Sequence, residues 1–285
     1  MQSMETVNPA RLYLDLLKKA LLNEIYLSME VAYFYVRDCA EQGVAPDLSA
    51  ILDVETCFAE RFRLAVEARR EGRHLDRDLR NIGFSHTMIG RRRLDQLDEC
   101  IHSVLSDNVP GDFIECGVWR GGATIFMRGV LAAYGISSRK VWVADSFEGL
   151  PKPTLPQDAR FDLSKERFPQ LAVSIEQVGK NFQVYDLLDD QVQFLKGWFK
   201  DTLPSAPIER LAVLRLDGDL YESTMDCLSA LYDRVSPGGY IIIDDYGILP
   251  CCANAVTDFR RARHIDEPIE RIDSIGVFWR KSHLF

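Results

Sequence analysis

Two apolar runs that both stop at paired acids constrain this chain more than any other feature. Ala212-Val-Leu-Arg-Leu216 ends in Asp217-Gly218-Asp219, and Gly239-Tyr-Ile-Ile-Ile243 ends in Asp244-Asp245. Short apolar runs bounded by Gly and Pro, rich in β-branched residues, read as strands buried in a parallel sheet. Residues 224–235 between them have helical character, and Pro237-Gly238-Gly239 marks the helix end, so the unit reads strand–helix–strand. Parallel neighbours finish at one edge. That brings Asp217, Asp219, Asp244 and Asp245 together at the carboxyl end of the sheet, where open α/β sheets bind ligands. A turn at Gly218 is expected, to aim both flanking acids at one place. Four carboxylates gathered there repel one another, and a hard divalent cation with oxygen ligands relieves the repulsion. The competing reading makes them helix caps and loop acids.

The chain has 285 residues, enough for one large domain or a domain with an appendage. Its net charge of −9 argues against nucleic acid or an anionic membrane surface as the main partner. The basic run Arg91-Arg92-Arg93 therefore reads as a solvated helix face or helix-end charge. Seven scattered cysteines with no Cys-x-x-Cys signal neither a disulfide framework nor a zinc site, and they suit a reducing cytoplasm. No signal peptide and no run of about 18 apolar residues is visible.

Residues 1–80 read as a helical region serving as a subunit interface or substrate wall, with helices expected over 9–25, 27–39 and 48–70. Residues 81–285 read as the catalytic domain. In it the strand Phe113-Ile-Glu115-Cys116 leads through Gly117-x-x-x-Gly121-Gly122 into a helix. This opening is Rossmann-like, with a looser glycine spacing than a pyrophosphate-binding turn. The next strand ends at Asp145, where a carboxylate would hold a ribose diol. Residues 148–170 carry four prolines, at 151, 153, 156 and 169, and read as a lid or substrate loop. A third strand exits through Gly197-Trp198-Phe199, whose rings could stack on a planar base or fill the core. A helix over 253–264 and a hairpin over 269–280 close the chain, a final antiparallel hairpin distinctive of methyltransferases that use S-adenosylmethionine.

With these pieces in place the sequence resembles the TylF/MycF-type macrocin O-methyltransferases. The match rests on His86-Thr-Met-Ile-Gly90, on residues 113–122, on Asp145-Ser-Phe-Glu-Gly-Leu-Pro151, and on residues 196–204. Leu216-Asp-Gly-Asp-Leu-Tyr-Glu-Ser-Thr224 and Ile243-Asp-Asp-Tyr-Gly247 complete it. The resemblance spans nearly the whole chain and departs in residues 27–80, which are longer and more apolar than the family pattern.

The resemblance implies an α/β fold: a Rossmann-like class I methyltransferase sheet, mostly parallel, with a helical N-terminal extension. It implies S-adenosyl-L-methionine and Mg²⁺ as cofactors, the metal held by Asp217, Asp244 and Asp245, and Asp219 as general base. Donor contacts map onto Thr87, Met88, Glu115, Gly117, Asp145, Ser146, Phe147, Gly197, Trp198 and Phe199. The implied acceptor is a deoxysugar hydroxyl on a macrolide-like natural product, and a homodimer or higher homo-oligomer is expected. A catechol-type, metal-dependent methyltransferase is the alternative, and a non-catalytic relative acting in assembly would have lost acids that are all present here. A dinucleotide oxidoreductase is disfavoured by the glycine spacing and the final hairpin.

Overall fold

The computed structural model describes residues 8–72 and 83–282. The chain divides into two compact units, residues 1–92 and 93–285. The boundary expected near residue 80 lies outside the described residues.

The first unit is helical. Helix α1 (Pro9–Leu21) begins where the Asn8 side chain accepts the Ala10 N–H at 3.0 Å, and Pro9 occupies a position whose N–H would have no helical partner. Helix α2 (Leu27–Gln42) ends on the left-handed Gly43. The single helix expected over 48–70 is three pieces: α3 (Leu48–Leu52), α4 (Val54–Cys57) and α5 (Ala59–Glu71). The backbone leaves the helical region at Asp53 and Phe58, residue types with weak helix preference. There the Phe58 ring packs 4.4 Å from that of Tyr35 and against the cluster of Leu27, Val31, Val54 and Ala65. Within this unit Glu30 and Arg69 form a buried ion pair, and the Phe84 N–H donates to Glu30 at 2.7 Å.

The division falls within α6 (Gly90–Ser106), which buries Leu94, Leu97, Cys100, Ile101 and Val104 at the expected spacing. The second unit then runs β1 (Asp112–Cys116), α7 (Gly122–Ala133), β2 (Val141–Asp145), α8 (Ile175–Val184), β3 (Val192–Lys196) and α9 (Phe199–Thr202). It continues with β4 (Leu211–Leu216), α10 (Tyr221–Leu231), β5 (Val235–Ile243), α11 (Pro250–Ala262), β6 (Glu270–Arg271) and β7 (Val277–Arg280). The sheet order is β3-β2-β1-β4-β5-β7-β6. The first five strands are parallel and β7 runs antiparallel to both its neighbours, as the closing hairpin predicted. Trp279 of β7 is wholly buried in a core shared with Ile114, Leu214, Ile241 and Val256. The order reverses between β1 and β4, so the ligand crevice of such a sheet opens there.

Three details differ from the sequence reading. Pro237-Gly238-Gly239 does not end the helix; it lies inside β5 as a bulge. Val235 pairs with Leu211, while the next pairing joins Tyr240 to Val213, and Gly238 adopts φ +84°. Helix α10 starts earlier and ends earlier than expected, with a 3₁₀ turn at Tyr232–Arg234 before the strand. Helix α8 escaped the sequence reading, although Ser174 caps it by accepting the Gln177 N–H at 3.2 Å. All seven cysteines are free thiols. Among the described residues no helix is long and apolar enough to cross a membrane.

Candidate active site

The site is assembled by register. Glu115 of β1 lies opposite Arg215 of β4, and Leu216 lies opposite Ile243 of β5, so Asp217 and Asp244 follow as neighbours just beyond the paired residues. The Asp244 N–H continues the ladder to the Leu216 carbonyl at 2.9 Å, and the Asp217 N–H reaches the Cys116 carbonyl at 2.8 Å. Asp217, Asp244 and Asp245 each place one carboxylate oxygen within 4.8 Å of the others. Gly117 sits against this group across the β1–β4 crevice. A Cβ there would lie 1.9 Å from the Asp217 carbonyl oxygen, and φ is +89°, so only glycine fits.

The turn between the acids differs from the one expected. Asp219, not Gly218, is left-handed, at φ 59°. Gly218 is closely packed instead, because a Cβ would lie 3.2 Å from that of Ser223 and 3.4 Å from the Phe199 ring. Trp119 at φ 49° and Phe147 at φ 58°, just beyond β1 and β2, are left-handed too. Three such non-glycine residues at the ends of adjacent strands concentrate backbone strain at the crevice.

Two arginines that the sequence reading did not place at the site thread the carboxylates. Arg215 is buried and donates to Glu115, Asp217 and Asp244 at once, the Asp217 contact at 2.8 Å. Arg93 donates to the second oxygen of Asp244 at 2.6 Å and to Asp273 at 2.9 Å. Arg93 is only 4% exposed, so the reading of Arg91-Arg92-Arg93 as a solvated face fails for its third member. A lone charge inside the apolar run Ala-Val-Leu-Arg-Leu was the available signal for Arg215. Arg93 carried none, because its partners lie far along the chain.

Two guanidinium groups do not neutralise Glu115, Asp217, Asp219, Asp244, Asp245 and Asp273. Burial, then the charge of Asp244, pushes Asp217 up to about 6. Burial and the Asp217 and Asp244 charges hold Asp219 well above the carboxylate range, and burial with Asp219 and Asp217 does the same to Asp245. Burial pushes Glu115 up to about 8 against the pull of Arg215. Asp245 Oδ2 and Glu115 Oε2 are buried without a hydrogen-bond partner among the described residues. Such orphaned oxygens beside an excess of acid fit a hard cation.

The neighbouring strand ends carry the other predicted residues. Asp145 accepts the Val118 N–H at 2.8 Å and the Phe147 N–H at 2.7 Å, so it ties the turn after β1 to the turn after β2. Burial raises its pKa, and those backbone N–H groups oppose the rise. Ser146 Oγ donates to the Gly149 carbonyl at 2.7 Å, and the Gly197 N–H donates to the Asp145 carbonyl at 2.9 Å. Trp198 is 37% exposed, which removes it from the core, while Phe199 packs on Gly218. Thr87 and Met88 belong to the first unit, where they border a small cavity with Leu22, Ala68 and Arg69.

Comparison with known proteins identifies the family. Residues 10–281 match the family Macrocin-O-methyltransferase (TylF). The chain is 50% identical over 271 residues, 94% of its length and 92% of the relative's, to an 8-demethyl-8-(2,3-dimethoxy-alpha-L-rhamnosyl)-tetracenomycin-C 4'-O-methyltransferase of Streptomyces olivaceus. It is 47% identical over 275 residues to a mycinamicin III 3''-O-methyltransferase of Micromonospora griseorubida, covering 95% of this chain and 96% of that one. Among solved structures it resembles the O-methyltransferase NovP, with 44% identity and a TM-score of 0.79 over 96% of this chain and 100% of that chain. The calicheamicin methyltransferase CalS11, at 19% identity and a TM-score of 0.55 over 66% of this chain and 78% of that one, shares the fold.

Proposed function

Because this chain belongs to the macrocin O-methyltransferase (TylF) family and is an O-methyltransferase, we propose that it methylates a sugar hydroxyl of a glycosylated natural product. S-adenosyl-L-methionine is the donor in this reading, and Mg²⁺ the metal. The observation that carries it is the cluster of Asp217, Asp244 and Asp245, with one oxygen of Asp245 buried and unpartnered, at the reversal point of the sheet. The relatives' names supply the acceptor class: one names a rhamnosyl group and 4'-O-methylation, the other 3''-O-methylation of mycinamicin III. A homo-oligomer formed through the helical unit completes the reading.

A sugar hydroxyl is a poor nucleophile near neutral pH. Bound Mg²⁺ would supply positive charge that favours the oxyanion form of a nearby hydroxyl. Asp217, Asp244 and Asp245 would hold that ion. Arg215 and Arg93 orient Asp244 from both of its oxygens, and each carboxylate oxygen keeps a second lone pair for a cation. Asp219 would take the acceptor proton on its carboxylate, since burial and the neighbouring Asp217 and Asp244 charges raise its pKa and so favour proton uptake there. Asp145 would hold the donor ribose, and the exposed face of Trp198 would cover the base. Glu115 contributes by fixing Arg215. Methyl transfer is an in-line displacement, so holding donor and acceptor in line supplies roughly 7–11 kcal/mol of the barrier reduction.

The test is methyl transfer from labelled S-adenosylmethionine to a panel of rhamnosylated and other glycosylated aglycones, with Mg²⁺ and with EDTA. Transfer to a glycoside that EDTA abolishes and Mg²⁺ restores is expected. Transfer only to catechols, or transfer indifferent to EDTA, would overturn the acceptor or the metal part respectively.

A further inference from the structure

The helix that follows the Asp-Gly-Asp turn has no cap of its own. Its N-cap position is Leu220, a buried apolar residue whose side chain can accept nothing from the first turn of α10. Ser, Thr, Asp or Asn at that position would satisfy the first free N–H groups locally. Here the job falls to Asp158, a carboxylate more than sixty residues upstream. Its two oxygens accept the Tyr221 N–H at 2.7 Å and the Glu222 N–H at 3.1 Å, and the residue is wholly buried. Thr154 of the same segment donates its hydroxyl to Glu222 Oε2 at 2.5 Å. Cys251 sits alongside, its thiol donating to the Asp219 carbonyl at 3.6 Å.

We propose that Asp158 is a positioning residue that latches segment 148–170 onto the first turn of α10 and so fixes the backbone of Asp219. A buried carboxylate persists only where its hydrogen bonds are made, and these are made only while the segment lies down on α10. Ser146 Oγ and Trp119 Nε1 hold the two ends of the segment, at the Gly149 and Gln170 carbonyls, and between them the Asp158 and Thr154 contacts tie it to α10. Lifting it to admit a large acceptor would uncap α10 two residues from Asp219. Closing it restores the cap and sets the left-handed Asp219 in place. Acceptor binding and orientation of Asp219 thereby become one event, a gating role of the kind lids perform. The proposal rests on the reading that Asp219 acts on an acceptor bordered by this segment.

The experiment compares Asp158→Ala, Asp158→Asn and Thr154→Val with the wild type in three measurements. Tryptic cleavage after the exposed Arg160, Lys165 and Arg167 reports how often the segment lifts. Asp158→Ala is expected to be cut about tenfold faster, and Asp158→Asn, whose amide oxygen still caps one N–H, by an intermediate factor. With a rhamnosylated aglycone that the wild type methylates, the acceptor KM should rise about tenfold in Asp158→Ala while affinity for S-adenosylhomocysteine by calorimetry stays within about twofold. Unchanged cleavage and unchanged KM in both Asp158 variants would overturn the proposal. So would a parallel loss of S-adenosylhomocysteine affinity, which marks general damage. Should Asp158→Ala fail to fold, Asp158→Asn and Thr154→Val carry the same measurements. Should the wild type methylate no glycoside, the functional reading fails and the cleavage rates alone decide the latch.

Discussion

At the residue scale, Asp217 and Asp219 are separated by one glycine and are assigned different chemistry. Asp217→Asn should weaken Mg²⁺ binding, with part of the activity recovered in excess Mg²⁺. Asp219→Asn should leave metal and donor affinity nearly intact while turnover falls by about 10²–10⁴. Calorimetric metal titration alongside turnover decides between them, and a variant pair with the two patterns exchanged would reverse the roles. Asp217 also makes a prediction about pH. Its folded pKa, about 6, lies above the unfolded value of 3.8, so its contribution is fully present below pH 4 and is lost as pH rises through 6. Metal-free Asp217→Asn should therefore gain thermal stability relative to metal-free wild type between pH 4 and 7. Mg²⁺ should restore the wild type above pH 6, where the carboxylate is ionised. A difference in melting temperature that stays flat across that range would remove Asp217 from the strained acids.

At the scale of elements, the β1–β4 junction decides whether there is a crevice at all. The two strands run side by side as far as Cys116 and Leu216, and beyond them the chain must turn away without separating Gly117 from Asp217. Gly117→Ala should cost about 2–4 kcal/mol, from left-handed strain and from overpacking against the Asp217 carbonyl. Urea denaturation measures that loss, and Mg²⁺ affinity should fall with it because Asp217 is displaced. Stability equal to wild type would show that the junction yields more easily than its geometry indicates. Asp145 joins the neighbouring pair of turns, so Asp145→Ala frees two backbone N–H groups as well as removing the carboxylate proposed to hold the donor. Loss of S-adenosylhomocysteine affinity in that variant counts as donor contact only where the melting temperature holds.

At the scale of the molecule, the helical unit exposes more apolar surface than its own small core requires. Leu12, Leu16, Tyr26, Met29, Tyr33 and Leu52 are each more than half exposed. Large exposed apolar side chains in such number commonly mark an interface between protein copies. Light scattering at micromolar concentration should return at least a dimer, and Leu16→Glu with Met29→Glu should shift it toward monomer without lowering S-adenosylhomocysteine affinity per chain. A wild-type monomer would reject the interface.

What was legible in the sequence was whatever local pattern dictates. Apolar runs ending in acids predicted parallel strands and the edge at which Asp217, Asp219, Asp244 and Asp245 gather, because strand direction and side-chain alternation follow from neighbours in the chain. The glycine-spaced turn after β1, the acid ending β2 and the closing hairpin were readable for the same reason. The tertiary structure alone decided the charge balance. Arg93 reaches Asp244 across 151 residues of chain and Asp273 across 180, and Asp158 caps α10 from 63 residues away, none of which leaves a periodic trace. It also decided which residue in the Asp-Gly-Asp turn takes the left-handed conformation. Ser223 and the Phe199 ring leave little room for a side chain at position 218, and the left-handed conformation falls on Asp219, a residue type that tolerates it. Local pattern determines which elements form and where they end, while the partners of a buried charge depend on packing that brings distant segments together.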